Sequence, residues 1–188
     1  MPILRRRQGT STRSTATLPL EMREQLREPA LGAVPLDAEG STWAVATASS
    51  LVVFNGRSGP ETHPWDEVEQ GSWDGQDRVF TLRWTQQDRE DLALKVPAGV
   101  RNGDAYVSAD VAPFAKALRQ RVEAAIIHSA VATLPSGATA TASVRRGGDG
   151  ELYSVTRPLI SQVDEAEDRR TLRELENRVR EGVGLPTR

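Results

Sequence analysis

The sequence contains no cysteine, which removes disulfides, thiolate nucleophiles and cysteine-ligated zinc or iron–sulfur sites from consideration. Histidine is nearly missing as well: His63 and His128 are the only two, and they lie far apart in the chain. No apolar run approaches the ~18 residues of a membrane-spanning helix. The N-terminus also lacks the apolar stretch of about 7 to 15 residues that a signal peptide carries, so a cytoplasmic protein with no transmembrane segment is expected. A net charge of −2 gives no global pull towards nucleic acid or an anionic membrane. There is no G-x-S-x-G and no glycine-rich phosphate loop opening a helix. The glycines of "RRGGDGE" lie between two strand-like runs and read as a hairpin turn. Catalytic, metal and cofactor constellations are therefore all absent from the reading, and the expectation is a protein that is not an enzyme and carries no cofactor.

At 188 residues a chain can hide roughly 70% of its unfolded surface. The apolar share of 38% lies below the usual ~45–50%, which points to a modest core with an exposed tail. Residues 1–17, "MPILRRRQGTSTRSTAT", hold arginine, serine and threonine with no apolar periodicity, and read as a disordered tail. Within it Arg5, Arg6, Arg7 and Arg13 are the candidate contacts to an anionic partner. Four arginines release at most about four counterions, a log–log salt slope near −3.6, so such contact to nucleic acid or membrane would be weak and unspecific.

From Leu18, "LPLEMREQLREPALG" reads as a short helix with Leu20, Met22 and Leu26 apolar, stopped by Pro29. After Gly32 the period changes. "AVPLD", "WAVAT", "LVVF", "RVFTLRW" and "LALKV" read as strands, separated by turns that include Asn55-Gly56 and Asp74-Gly75, both suited to positive φ. Asp110 is placed as a helix N-cap, with Pro113 in the first turn and Val111, Phe114, Leu118 and Val122 on one face. "EAAIIHSAVATL", "ATATASVRR" and "ELYSVTRPLI" then read as a three-stranded sheet with "PSG" and "GGDG" turns. A final helix follows, with Glu165–Arg169, Glu174–Arg178 and Glu176–Arg180 at i,i+4 spacing. Its narrow stripe of Leu172, Leu175 and Val179 needs a surface to dock on, because short helices take most of their stability from packing.

Three of the four tryptophans crowd into "THPWDEVEQGSWDGQDRVFTLRW", Thr62 to Trp84. Strict alternation places Phe80, Leu82 and Trp84 on one face of a strand. Gly71 is the expected site of a bulge that lets Trp65 and Trp73 join the same core. The neighbours Asp66, Glu67 and Glu69 are acidic and read as a solvated face, as does His63 in its loop; His128 reads as a structural or exposed strand residue.

The hairpin in "WAVATASSLVVF", the phrase "HPWDEVEQGSWDGQDRVFTLRW" and the helix "FAKALRQRVEAAII" together resemble the bacterial pleckstrin-homology-like (PH-like) proteins of unknown function, over about Leu31 to Val122. The resemblance implies a PH-like curved antiparallel β-barrel capped by a helix, which with the short helix before it makes residues 18–122; the strand runs and charged helix that follow add a β3α unit, residues 123–188, for an α+β fold. The resemblance also implies an interaction or scaffold module whose sheet accepts a protein or peptide partner. The loop "TASS", Thr47 to Ser50, carries no cation, so phosphoinositide binding is not expected, nor is any specific nucleic acid.

Overall fold

The computed structural model describes residues 15–56 and 59–187. Over the described residues the fold is α+β, with mostly antiparallel sheets and three α-helices. After a five-residue helix α1 (Leu20–Glu24), strands β1 (Gly32–Pro35), β2 (Trp43–Ala46), β3 (Ser50–Phe54) and β4 (Pro60–Pro64) form a four-stranded sheet in sequential order. A 3-10 turn, Trp65–Glu67, leads into a three-stranded sheet of β5 (Val68–Asp74), β6 (Val79–Trp84) and β7 (Leu92–Lys95). A hairpin of β8 (Gly99–Asn102) and β9 (Ala105–Ser108) precedes helix α2 (Ala112–Ala125). Strands β10 (Ile126–Thr133), β11 (Thr139–Arg146) and β12 (Leu152–Arg157) make a second three-stranded sheet, and α3 (Ala166–Glu181) closes the order. Among the described residues the strands form four separate sheets, and no closed barrel is found.

One core lies between the first two sheets and α2. Val34, Ala44, Ala46, Leu51 and Val53 face it from the four-stranded sheet, and Val68, Phe80, Leu82, Trp84 and Leu94 from the three-stranded one. Phe114, Leu118 and Val122 fill it from the helix, as their spacing predicts. The N-cap position falls on Val111, one residue after the expected Asp110, whose carboxylate accepts a hydrogen bond from the Ala112 N–H at 3.0 Å and so still holds the helix start. Two glycines set how closely α2 approaches. A Cβ on Gly32 would lie 2.6 Å from the backbone of Pro113 and Phe114, and one on Gly71 would lie 3.0 Å from the Leu118 side chain. Gly71 thus serves helix packing; the bulge expected there falls two residues earlier, where the β5–β6 register shifts between Val68 and Gln70.

The opposite face of the four-stranded sheet is covered too. Leu18, with Met22 and Leu26, packs over Trp43, Val45, Val52 and Phe54. Leu20, expected on the apolar side, is instead 66% exposed, because a helix of only five residues presents one turn to the sheet. Three residues of the span read from sequence as a tail are placed: Thr15 bridges Ser108, and the Ala16 N–H donates to Ser108 O at 2.9 Å.

A second cluster holds α3 on the last sheet. Leu172, Leu175 and Val179 meet Leu134, Ala140, Ala142 and Val144, while the carboxylate of Asp168 accepts the Ser136 N–H at 3.0 Å and ties the hairpin turn to the helix. Of the expected i,i+4 pairs, Arg169 donates instead to Val163 O, and Glu176 and Arg180 bond elsewhere. Arg180 donates to Ser154 Oγ and Pro186 O, and Ser154 Oγ donates to Glu176. Asp74-Gly75 also differs from expectation. The Asp74 carboxylate accepts the N–H groups of Gln76 and Asp77, and positive φ falls on Arg78 (56°), whose guanidinium donates to Val96 O and Pro97 O. The β8–β9 hairpin was not read from the sequence, although Asn102-Gly103 between "GVR" and "AYVS" marks its turn.

Leu175→Asp is expected to destabilise the chain by about 2–4 kcal/mol, through lost burial and a stranded carboxylate. Gly32→Ala should cost about 1–3 kcal/mol through overpacking. Chemical denaturation of the two variants checks both figures. Rapid hydrogen exchange over residues 168–181 in the native chain would contradict the docking of α3.

Candidate functional site

The acidic run after Trp65 is the meeting place of the two halves of the chain. Asp66, Glu67 and Glu69 were expected to face solvent; instead each has a fixed partner. Tyr153 on β12 donates its hydroxyl to Asp66 O at 2.8 Å, with Asp66 Oδ2 at 3.2 Å sharing the same proton. Arg157 makes a two-pronged pair with Glu69, Nε to Oε1 at 2.7 Å and Nη2 to Oε2. Arg145 on β11 is 1% exposed and donates from Nη2 to Val68 O at 2.5 Å. Gln87 donates across the same seam to Thr156 O at 2.9 Å. The arrangement follows from strand parity: Arg145, Tyr153 and Arg157 occupy alternate positions on one face of the last sheet, with Tyr153 directly opposite Arg145.

Electrostatics fit a sealed joint. Burial, reinforced by the Asp66 charge, pushes the Tyr153 phenol up to about 12, so it stays a donor at neutral pH. Burial lowers Arg145, with Tyr153, Glu69 and Asp66 acting in the opposite sense. The hydrogen bond that Arg157 donates to Glu69 raises the pKa of Arg157.

Glu67 turns the other way, to Arg89 at 3.1 Å. The Arg89 guanidinium lies 3.5 Å from the Trp84 ring centroid, and its Nη2 is 3.0 Å from His63 Nδ1. His63, read from the sequence as a solvated loop residue, belongs to β4 with its side chain only 13% exposed, and its ring sits 5.1 Å from that of Trp84. Burial, then the Arg89 charge, lowers its pKa against the weaker opposing pull of Glu61 and Glu67. His128 is an exposed residue of β10. Trp65 and Trp84 are buried at 3% and 2%, with indole N–H groups donating to Thr47 O and Glu90 O.

Trp73 differs from them. It is half-buried, stacked 4.2 Å from Phe80, and it borders a groove of about 450 Å³ between β5 and α2. Gly71, Ser72 and Leu118 line this groove with Ala115, Lys116 and Arg119 of the helix. Strand β5 is an edge of its sheet. The seam with β11 and β12 covers its Val68–Glu69 end, and the stretch Gln70 to Ser72 is exposed. An open strand edge beside an apolar, cation-flanked trough is suited to taking up an extended chain. The arginines singled out from the sequence, Arg5, Arg6, Arg7 and Arg13, lie outside the described residues.

Among the described residues no group of three or more histidines and carboxylates could hold a metal ion, and no helix is long and apolar enough to cross a membrane. Comparisons with family models, curated proteins and solved structures found no match for this chain.

The neutral imidazole of His63 is favoured in the folded chain, so unfolding takes up a proton between the depressed folded value and the ordinary value of about 6.5. Stability from this site is complete above about pH 6.5 and is lost as pH falls through the depressed value. His63→Gln should flatten that part of the stability profile, read as the change in denaturation midpoint between about pH 7 and about pH 5. At the seam, Tyr153→Phe should cost about 1–2 kcal/mol, since it leaves an acceptor on Asp66 without its donor. Urea unfolding of the variant at neutral pH measures it.

Proposed function

We propose that the chain is a non-enzymatic, PH-like interaction module that binds a protein partner by taking an extended peptide segment as an added strand on β5. The observation that carries this reading is the exposed β5 edge running beside α2 over the groove of Trp73, Leu118 and Ala115. Main-chain bonds to the edge supply affinity in this mode, and the trough beside it supplies selectivity. Lys116 and Arg119 flank the trough on the helix side, so the fitting segment carries an apolar side chain for the floor and a carboxylate for the rim. The PH-like assignment is supported by the order of elements: a four-stranded and a three-stranded antiparallel sheet around one core, with a helix packed against both. The β8–β9 hairpin before the helix is an elaboration of that plan.

Ala115, partly buried at the margin of the core, lines the trough from the helix side, and Ala115→Trp fills it. Peptides selected from a random library on the native chain are expected to compete with one another and to lose at least about tenfold in affinity for this variant. Lys116→Glu combined with Arg119→Glu should turn the selected consensus from acidic to basic. Peptides that bind Ala115→Trp as well as the native chain would remove the groove as the site.

A further inference from the structure

We infer that the open edge of β10 is a self-association surface, on which a second copy of this chain pairs antiparallel about a two-fold axis at Val131. Apart from the β5 edge assigned above to a peptide, several of the longer sheets' edges are obstructed or carry residues that discourage pairing. Strand β1 abuts α2 at Gly32, β4 carries Pro60, Glu61 and Pro64, and β7 ends in Lys95. The β12 edge of the same sheet is engaged by Gln87. Strand β10 has none of these devices. It is eight residues long, "IIHSAVAT", with no proline and no permanently charged residue, and among the described residues it holds two of the five exposed large hydrophobic side chains, Ile127 at 41% and Val131 at 66%. Uncharged, β-branched edges of this length are those that recruit another strand.

The register points to the partner. Leu134 N–H bonds to Ala138 O at the hairpin end, and the ladder pairs Ala132 with Ala140, Ala130 with Ala142 and His128 with Val144. Antiparallel alternation then turns the backbone groups of Ser129, Val131 and Thr133 away from β11, onto the open edge. A second β10 centred on Val131 sets Val131 against its own counterpart and Ser129 against the partner's Thr133. All three outward residues of each copy would find bonding partners. A two-fold axis always brings identical side chains together, which an edge tolerates only where it is uncharged; the one titratable group on the strand, His128, falls opposite the partner's Leu134. The product is a continuous six-stranded sheet with Val131 of both copies covering each other.

Analytical ultracentrifugation of the full chain from micromolar to hundreds of micromolar should show the mass rising from one chain to two. Val131→Lys, which places two ammonium groups face to face at an otherwise exposed position, should raise the dissociation constant at least about tenfold and leave the melting curve unchanged. An equimolar mixture of Val131→Lys and Val131→Glu should restore the dimer. Hydrogen exchange of the native chain gives a readout free of any variant: the amides of Ser129, Val131 and Thr133 should slow with concentration while those of Gln70 to Ser72 do not. A native chain that stays monomeric throughout, or a Val131→Lys chain that dimerises as the native one does, overturns the inference.

Discussion

Phe114 and Leu118 pack against positions where the chain has no side chain. Phe114 comes over Gly32 on β1 and Leu118 over Gly71 on β5; this close approach lets one helix serve two sheets. With any Cβ at Gly32, α2 would be held off the four-stranded sheet, and Val34, Ala44 and Leu51 would lose their cover. The β5–α2 groove exists for the same reason: the helix lies low enough over Gly71 for Ala115 and Lys116 to form its wall.

The second constraint is electrostatic. A run reading Asp-Glu-Val-Glu in the middle of a chain would repel itself if left in water, but here each carboxylate is directed to a separate partner. Glu67 goes to Arg89 on the first half of the chain, Glu69 to Arg157 and Asp66 to Tyr153 on the second. The bulge at Glu69 takes part in this: by shifting the register between Val68 and Gln70 it accommodates the extra residue and leaves Val68 O free to receive Arg145.

Periodicity made much of the architecture legible. The alternation of Phe80, Leu82 and Trp84, the helical spacing of Phe114, Leu118 and Val122, and the stripe of Leu172, Leu175 and Val179 all identified buried faces, because each records a local geometry repeated along one element. The partners of the acidic run could not be found in this way. Glu69 and Arg157 meet only because a strand of the last sheet passes the end of β5, and no local pattern records that encounter. His63 was misread for a related reason: its environment consists of Arg89 and Trp84, both distant in sequence. The groove was only partly legible. Gly71 stood out, but as a bulge signal, and its role in admitting Leu118 depends on where α2 lies.

Strands β2 and β3 are buried on both faces, "WAVA" and "SLVVF" having no solvent side at all. Amphipathic strands encode their alignment, since a slip by one residue exchanges inside for outside. These two strands carry no such code, and sliding one along the other would bury the same kinds of atom. Alignment is therefore stored at the turn. Thr47 Oγ1 accepts the Ser50 N–H and donates to Ser50 O, while Trp65 fixes Thr47 O from outside the hairpin. Four residues, Thr47 to Ser50, thus act as the address label for the most deeply buried strands in the molecule. Their value lies in the information they carry about which residue faces which, far more than in the few hydrogen bonds they contribute.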